Sequence, residues 1–78
     1  MGHKFPQISG RECIKVLECF GWIVDRIKGS HHIMIKENEK ANLSIPVHGN
    51  APLRPGLIRA IIRDANLKQE DFFKVYFD

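Results

Sequence analysis

Cysteine is scarce in this chain. Its two residues, Cys13 and Cys19, are too few for a disulfide framework. Six positions apart in one helix, they stand about 240° apart around it and do not face each other. Metal-ligand spacing is missing too. No CxxC or HxxxH pattern brings two of Cys13, Cys19, His31, His32 and His48 to one ion, so neither a metal nor a cofactor is expected. No serine stands in a recognisable nucleophile elbow, which leaves a hydrolytic triad unsupported. The apolar runs fall far short of the roughly 18 residues of a membrane span. The opening Met1-Gly2-His3-Lys4-Phe5-Pro6 offers no apolar stretch for a signal peptide. A cytoplasmic location without membrane association is therefore expected. Repeats, linkers and low-complexity tracts are also missing, so residues 1–78 are read as one domain with a modest core.

What is present is an ordinary globular balance, 44% hydrophobic and 27% charged residues, with a net charge of +3 that leans toward an anionic partner. Ser9-Gly10-Arg11-Glu12 has the spacing of a capping box. Behind it Cys13, Val16, Leu17 and Phe20 recur at i, i+3, i+4 and i+7, with Ile14 at the edge of the stripe. The pattern predicts a helix from about Gly10 to Phe20, closed by Gly21 in a left-handed cap. Three stretches rich in β-branched and aromatic residues follow: Trp22 to Ile27, His31 to Glu37 and Asn42 to Val47. Lys28-Gly29-Ser30 and Asn38-Glu39-Lys40 read as the turns between them, and such short connections favour an antiparallel meander. Pro46 and His48-Gly49-Asn50-Ala51-Pro52 break the sheet. Pro55 suits the first turn of a second helix, whose apolar face is Leu57, Ile58, Ile61, Ile62 and Ala65, with Asn66 at its end. A last short helix near Gln69 to Tyr76 returns Leu67, Phe72, Phe73 and Tyr76 to the core. The reading is α+β, an α-β-β-β-α order with a terminal helix, a three-stranded antiparallel sheet and helices on one face. Trp22, Phe72 and Phe73 are assigned to the core rather than to base stacking.

Four motifs stand in register on this element order: Ser9-Gly10-Arg11-Glu12, Gly29-Ser30-His31-His32, Val47-His48-Gly49-Asn50 and Leu53-Arg54-Pro55-Gly56. In this the chain resembles HicA-type toxins from about Gln7 to Phe73. The resemblance implies a double-stranded-RNA-binding-domain-like fold, ribosome-independent cleavage of mRNA, and neutralisation by a cognate HicB-type antitoxin. The family's catalytic histidine follows the glycine turn directly, which implies His31. Two departures stand out. The family's His-Pro-Asp-Gly turn between the second and third strands is replaced by Glu37-Asn38-Glu39-Lys40-Ala41-Asn42. Its Ala-Gly-Leu-Ser before the last helix is Ala65-Asn66-Leu67-Lys68, where Asn66 can take the left-handed conformation but Lys68 cannot cap as serine would.

RNA carries its own nucleophile, the 2′-hydroxyl. Cleavage needs a base for that proton, a cation for the phosphorane and a proton for the leaving oxygen. Histidine suits the first task, with a reference pKa of about 6.5. On a strand His31 shares a face with Ile33 and Ile35, and His32 with Met34 and Lys36, so the two histidines cannot aim at one phosphodiester. His31, at the strand mouth, is the expected general base. Gly29 and Ser30 allow close approach of the backbone and offer amides to a phosphate oxygen, and Lys28 is the nearest cation. His48 reads as a turn residue, with a secondary acid–base role as the alternative. Arg54, Arg59 and Arg63 form either a stripe that tracks phosphates or an ordinary solvated face. His32 and Lys36 are weaker RNA contacts. A non-catalytic double-stranded-RNA-binding module and a protein-interaction domain remain as alternatives to the ribonuclease.

Overall fold

The computed structural model describes residues 5–78. In chain order it contains α1 (Gly10–Cys19), β1 (Ile23–Lys28), β2 (His31–Ile35), β3 (Leu43–Pro46), α2 (Pro55–Asp64) and α3 (Gln69–Tyr76). The three strands form one antiparallel sheet in the order β1-β2-β3. This is the α+β, α-β-β-β-α arrangement expected from the sequence, with a third helix at the end.

α1 starts as its sequence dictates. The Ser9 hydroxyl accepts from the Glu12 amide at 3.2 Å, and the Glu12 carboxylate accepts from the Ser9 amide at 2.9 Å. Two otherwise unpaired donors of the first turn are thereby satisfied. The helix ends one residue before the expected Phe20, which serves as its C-cap, and Gly21 follows at φ +95°. Gly10 has a separate role. A Cβ at that position would land on the Pro46 carbonyl oxygen and press on Val47, so only glycine lets α1 lie this close to the end of β3.

The core lies on one side of the sheet. Met34 of β2 and Leu43 and Ile45 of β3 point into it, against Cys13, Val16 and Leu17 of α1 and Ile58, Ile61 and Ile62 of α2. Trp22 and Phe72 are fully buried within the same cluster, and Phe73 is half-buried against it. Two members lie outside the periodic runs. Ile8 accepts a 2.7 Å hydrogen bond from the Leu53 amide, and Ser9 bridges to Pro52. This pairing draws Ile8 and Leu53 into the core. Leu57, by contrast, is 37% exposed rather than part of the apolar face of α2, because that face is centred on Ile58, Ile61, Ile62 and Ala65. Asn66 adopts φ +60° after α2, and Lys68 begins α3 without a side-chain cap.

The β1–β2 hairpin differs from the expected boundaries. Lys28 is the last residue of β1 and pairs with His31, leaving only Gly29 and Ser30 in the loop. A two-residue loop with glycine first at positive φ (+58°) has the pattern of a type II′ turn, whose twist matches that of the strands. Further along, the register shifts between Val24 and Arg26, so Asp25 is a bulge. Strand pairing resumes at Val24–Met34 and Ile23–Ile35. The bulge reconciles two requirements, the turn at the tip and the placement of Val24 on the core side.

Two predictions follow from this packing. Gly10→Ala has no room for its methyl group and is expected to cost about 1–3 kcal/mol of stability, measurable as a lowered denaturant midpoint at unchanged slope. The thiols should separate by burial. Burial pushes the Cys13 thiol up to about 12, whereas Cys19 is exposed. A thiol reagent at about pH 8 should modify Cys19 in the native protein and reach Cys13 only after unfolding. Equal reactivity of both thiols in the native protein would contradict the packing of α1.

Candidate nucleic-acid interface

The two faces of β2 differ in cover. His32 and Met34 are on the helix side, His32 half-buried and Met34 fully so. His31, Ile33 and Ile35 lie on the opposite face, where His31 is exposed. The register of the sheet then fixes the neighbours of His31. Lys28 of β1 is its partner on one side and Pro46 of β3 on the other. Directly opposed side chains in an antiparallel pair have Cβ atoms about 5 Å apart, so the Lys28 ammonium and the His31 imidazole share one small patch. Arg26 continues the same face two residues back along β1, opposite Ile33. It carries an exposed 2.9 Å ion pair with Asp25, of the kind that contributes little energy and is easily exchanged for another anion.

The turn beside this patch is unobstructed. No atom lies within 4 Å of where a Gly29 Cβ would be, and the Gly29 backbone stands at the tip of the hairpin. The Ser30 carbonyl is occupied, accepting from the Val47 amide at 2.7 Å. This bond carries the β2–β3 ladder past Pro46, which has no N–H of its own to donate. It also sets the chain beside the turn, and the exposed His48 comes next. Lys28, Gly29, Ser30, His31 and the segment leading into His48 are therefore gathered at one end of the sheet.

The remaining candidates are not gathered there. Lys36 lies past the far end of β2, where its stem packs 3.3 Å from the position of a Gly21 Cβ. Five residues of strand separate it from His31 by roughly 16 Å. Arg54 precedes α2 without capping it. Arg59 places its guanidinium 4.4 Å from the centre of the Phe5 ring, a cation–π contact that orients it without neutralising it. Arg63 is exposed and bonds Asp64 at 3.3 Å. Arg59 and Arg63 share a shallow surface with Lys68 and Asn66, a cationic area built on α2 and the segment after it.

His32 meets different company. It lines a cleft of about 570 Å³ with Arg11, Ile14, Lys15 and Glu18 of α1 and Asn50 of the loop after β3. Its Nδ1 is shut off from water and has no hydrogen-bond partner. The sequence alone does not mark Arg11, Lys15 and Asn50 as site residues. Arg11, Lys15 and Glu18 recur at i, i+4 and i+7, a signal that reads equally well as the solvated side of an amphipathic helix.

Among the described residues, no three His, Cys, Asp or Glu side chains come together as a metal site, and no helix is long and apolar enough to cross a membrane. Comparison with curated proteins finds no match. A family model described as HicA toxin of bacterial toxin–antitoxin matches residues 10–67, a span from the first residue of α1 to just past α2 that contains the whole sheet and the hairpin tip. The chain belongs to the HicA toxin family, the toxin half of bacterial toxin–antitoxin systems.

Proposed function

We propose that this toxin is a metal-independent endoribonuclease that cleaves mRNA in the cytoplasm, with His31 as general base. The observation that carries the reading is the pairing of His31 with Lys28 across a glycine turn, on a sheet face that no described helix covers. An RNA backbone laid over the hairpin tip meets Gly29 without a side chain in the way, and its phosphate comes within reach of the turn amides and the Lys28 ammonium. His31 then takes the proton of the adjacent 2′-hydroxyl. The freed oxygen attacks phosphorus, Lys28 balances the charge that builds on the phosphorane, and the 5′-oxygen leaves with a proton from water or from His48. The products are a 2′,3′-cyclic phosphate and a 5′-hydroxyl end. Gly29, Ser30 and Lys28 hold the reacting phosphate. Arg54, Arg59 and Arg63 supply longer-range attraction, His32 binds beside the mouth, and Lys36 makes at most a distant contact.

The cognate antitoxin, of the HicB type on this reading, is best placed over the same mouth. A segment bearing carboxylates or bulk would satisfy Lys28 and Arg26 and exclude the RNA phosphate in one step.

His31→Ala tests the reading. The loss of a general base should slow cleavage of a long mRNA by a factor of about 10² to 10⁴. RNA affinity should persist, since the cations that provide it remain, and the thermal melt should match the parent because His31 is exposed. Growth arrest on induced expression should vanish with the same substitution. A folded His31→Ala protein that still cuts at the parental rate would remove His31 from the mechanism and direct attention to His48. RNA binding without cleavage by the parent protein would favour the non-catalytic module.

Chelation gives an independent test. Cleavage should continue undiminished in excess EDTA. Activity lost in chelator and restored by Mg²⁺ or Zn²⁺ would overturn the proposed metal-free chemistry.

A further inference from the structure

The cleft on the helix side of β2 has no part in the proposed chemistry, yet it opens one residue from the general base. We propose that it is a nucleotide subsite, which takes the base next to the scissile phosphate and gives the toxin a sequence preference. The inference rests on the ribonuclease reading for its substrate class.

Position is the first argument. Consecutive side chains on β2 leave the strand on opposite faces, so His31 and His32 flank the same stretch of backbone at the hairpin end. A phosphate held at the tip by Lys28 and Gly29 leaves the RNA chain free to turn one neighbouring nucleotide to the helix side, where His32 and the cleft lie. Asn50, from the loop that follows the Ser30–Val47 hydrogen bond, lines the cleft together with His32.

Chemistry is the second. At about 570 Å³ the cleft falls within the range of about 300–1,000 Å³ typical of small-ligand sites. Ile14 contributes an apolar part of the lining, though only 8% of its surface is exposed. Around that surface stand hydrogen-bonding groups of both senses: the Asn50 amide, the His32 ring and the Glu18 carboxylate. The Nδ1 of His32 has no access and no partner, which leaves Nε2 as the nitrogen through which His32 can bond an occupant. Arg11 and Lys15 make no ion pair among the described residues, where the ion pairs are Arg26–Asp25 and Arg63–Asp64. They are free to meet a phosphate on the nucleotide bound there. A base whose edge matches these groups is preferred over one that leaves them unpaired, the half-buried His32 being the least able to turn to water instead.

Two measurements test this on the intact protein. First, each of AMP, GMP, CMP and UMP is titrated into ¹⁵N-labelled His31→Ala protein. One of the four should bind most tightly, with shifts confined to Arg11, Lys15, His32, Asn50 and their neighbours. Second, the ends of mRNA fragments are sequenced after cleavage by the parent protein and by Asn50→Ala and Lys15→Ala variants. The parent should show a preferred base beside the cut. The variants should cut those preferred sites about ten- to a hundredfold more slowly and other sites as before, so that the preference flattens. Unchanged end spectra in both variants, or nucleotide shifts scattered over the surface, would overturn the subsite. Shifts in the cleft that come only on adding the antitoxin would overturn it in favour of a peptide-binding site. If the parent cleaves no RNA, the ribonuclease reading falls separately, and the titration alone decides whether the cleft binds nucleotides.

Discussion

Burial of Met34 sets the parity of the central strand, and the functional arrangement depends on that parity. With Met34 sealed in the core, alternation puts His32 on the helix side and His31 on the open side. A slip of one residue would exchange them, carry Met34 into water and put Ile33 or Ile35 in its place. Such a change of side-chain shape in a packed core costs up to about 1.5 kcal/mol. That term does not depend on RNA. The position of the proposed general base is thus held by packing that has nothing to do with catalysis, and the exposed patch itself is free to be polar and lightly contacted.

The hairpin tip is the second fixed point. Gly29 and Ser30 impose pairing of Lys28 with His31, while Val24 must meet Met34 on the core side. Between the two anchors the strand carries one residue too many, and Asp25 takes up the excess as a bulge. Pairing Lys28 with His31 and burying Met34 are therefore compatible only because β1 is irregular in the middle. At the other end of the site, Gly10 allows α1 to touch the Pro46 carbonyl, which brings the Arg11–Lys15 face of the helix beside His32.

Local signals explain what could be read from the sequence. The capping box, the left-handed Gly21 and Asn66, the apolar stripe of α1 and the opposite faces of His31 and His32 each need only a few consecutive residues. The features that escaped need partners distant in the chain. Ile8 and Leu53 lie outside any periodic run and enter the core because they bond each other. The Asp25 bulge arises from a conflict between the turn and the core, which no window along β1 contains. Lys28 reads as a turn residue in the sequence because a three-residue turn and a two-residue II′ turn look alike until the pairing is known. The cleft unites an ordinary-looking polar stripe on α1 with Asn50 from a loop some thirty-five residues further on. Nor does the family match reach the end of the chain. α3 lies beyond residue 67, and its Phe72 is nevertheless fully buried against the same core.

The exposure of the proposed site bears on how such a toxin is controlled. His31 and Lys28 are exposed, Gly29 is clear of neighbours, and no described segment of the chain lies over them. On the proposed ribonuclease reading, the cognate antitoxin restrains the toxin by competing with RNA for this face. An antitoxin present at 100 times its Kd leaves about 1% of the toxin free. By the same linkage it stabilises the folded toxin by about 2.7 kcal/mol, provided that it does not bind the unfolded chain. That increment is large for a domain of this size, whose total stability is expected to be on the order of 5 kcal/mol. The partner that silences the site would then also support the fold that carries it. Loss of the antitoxin would remove this added stability in the same step that uncovers the proposed site.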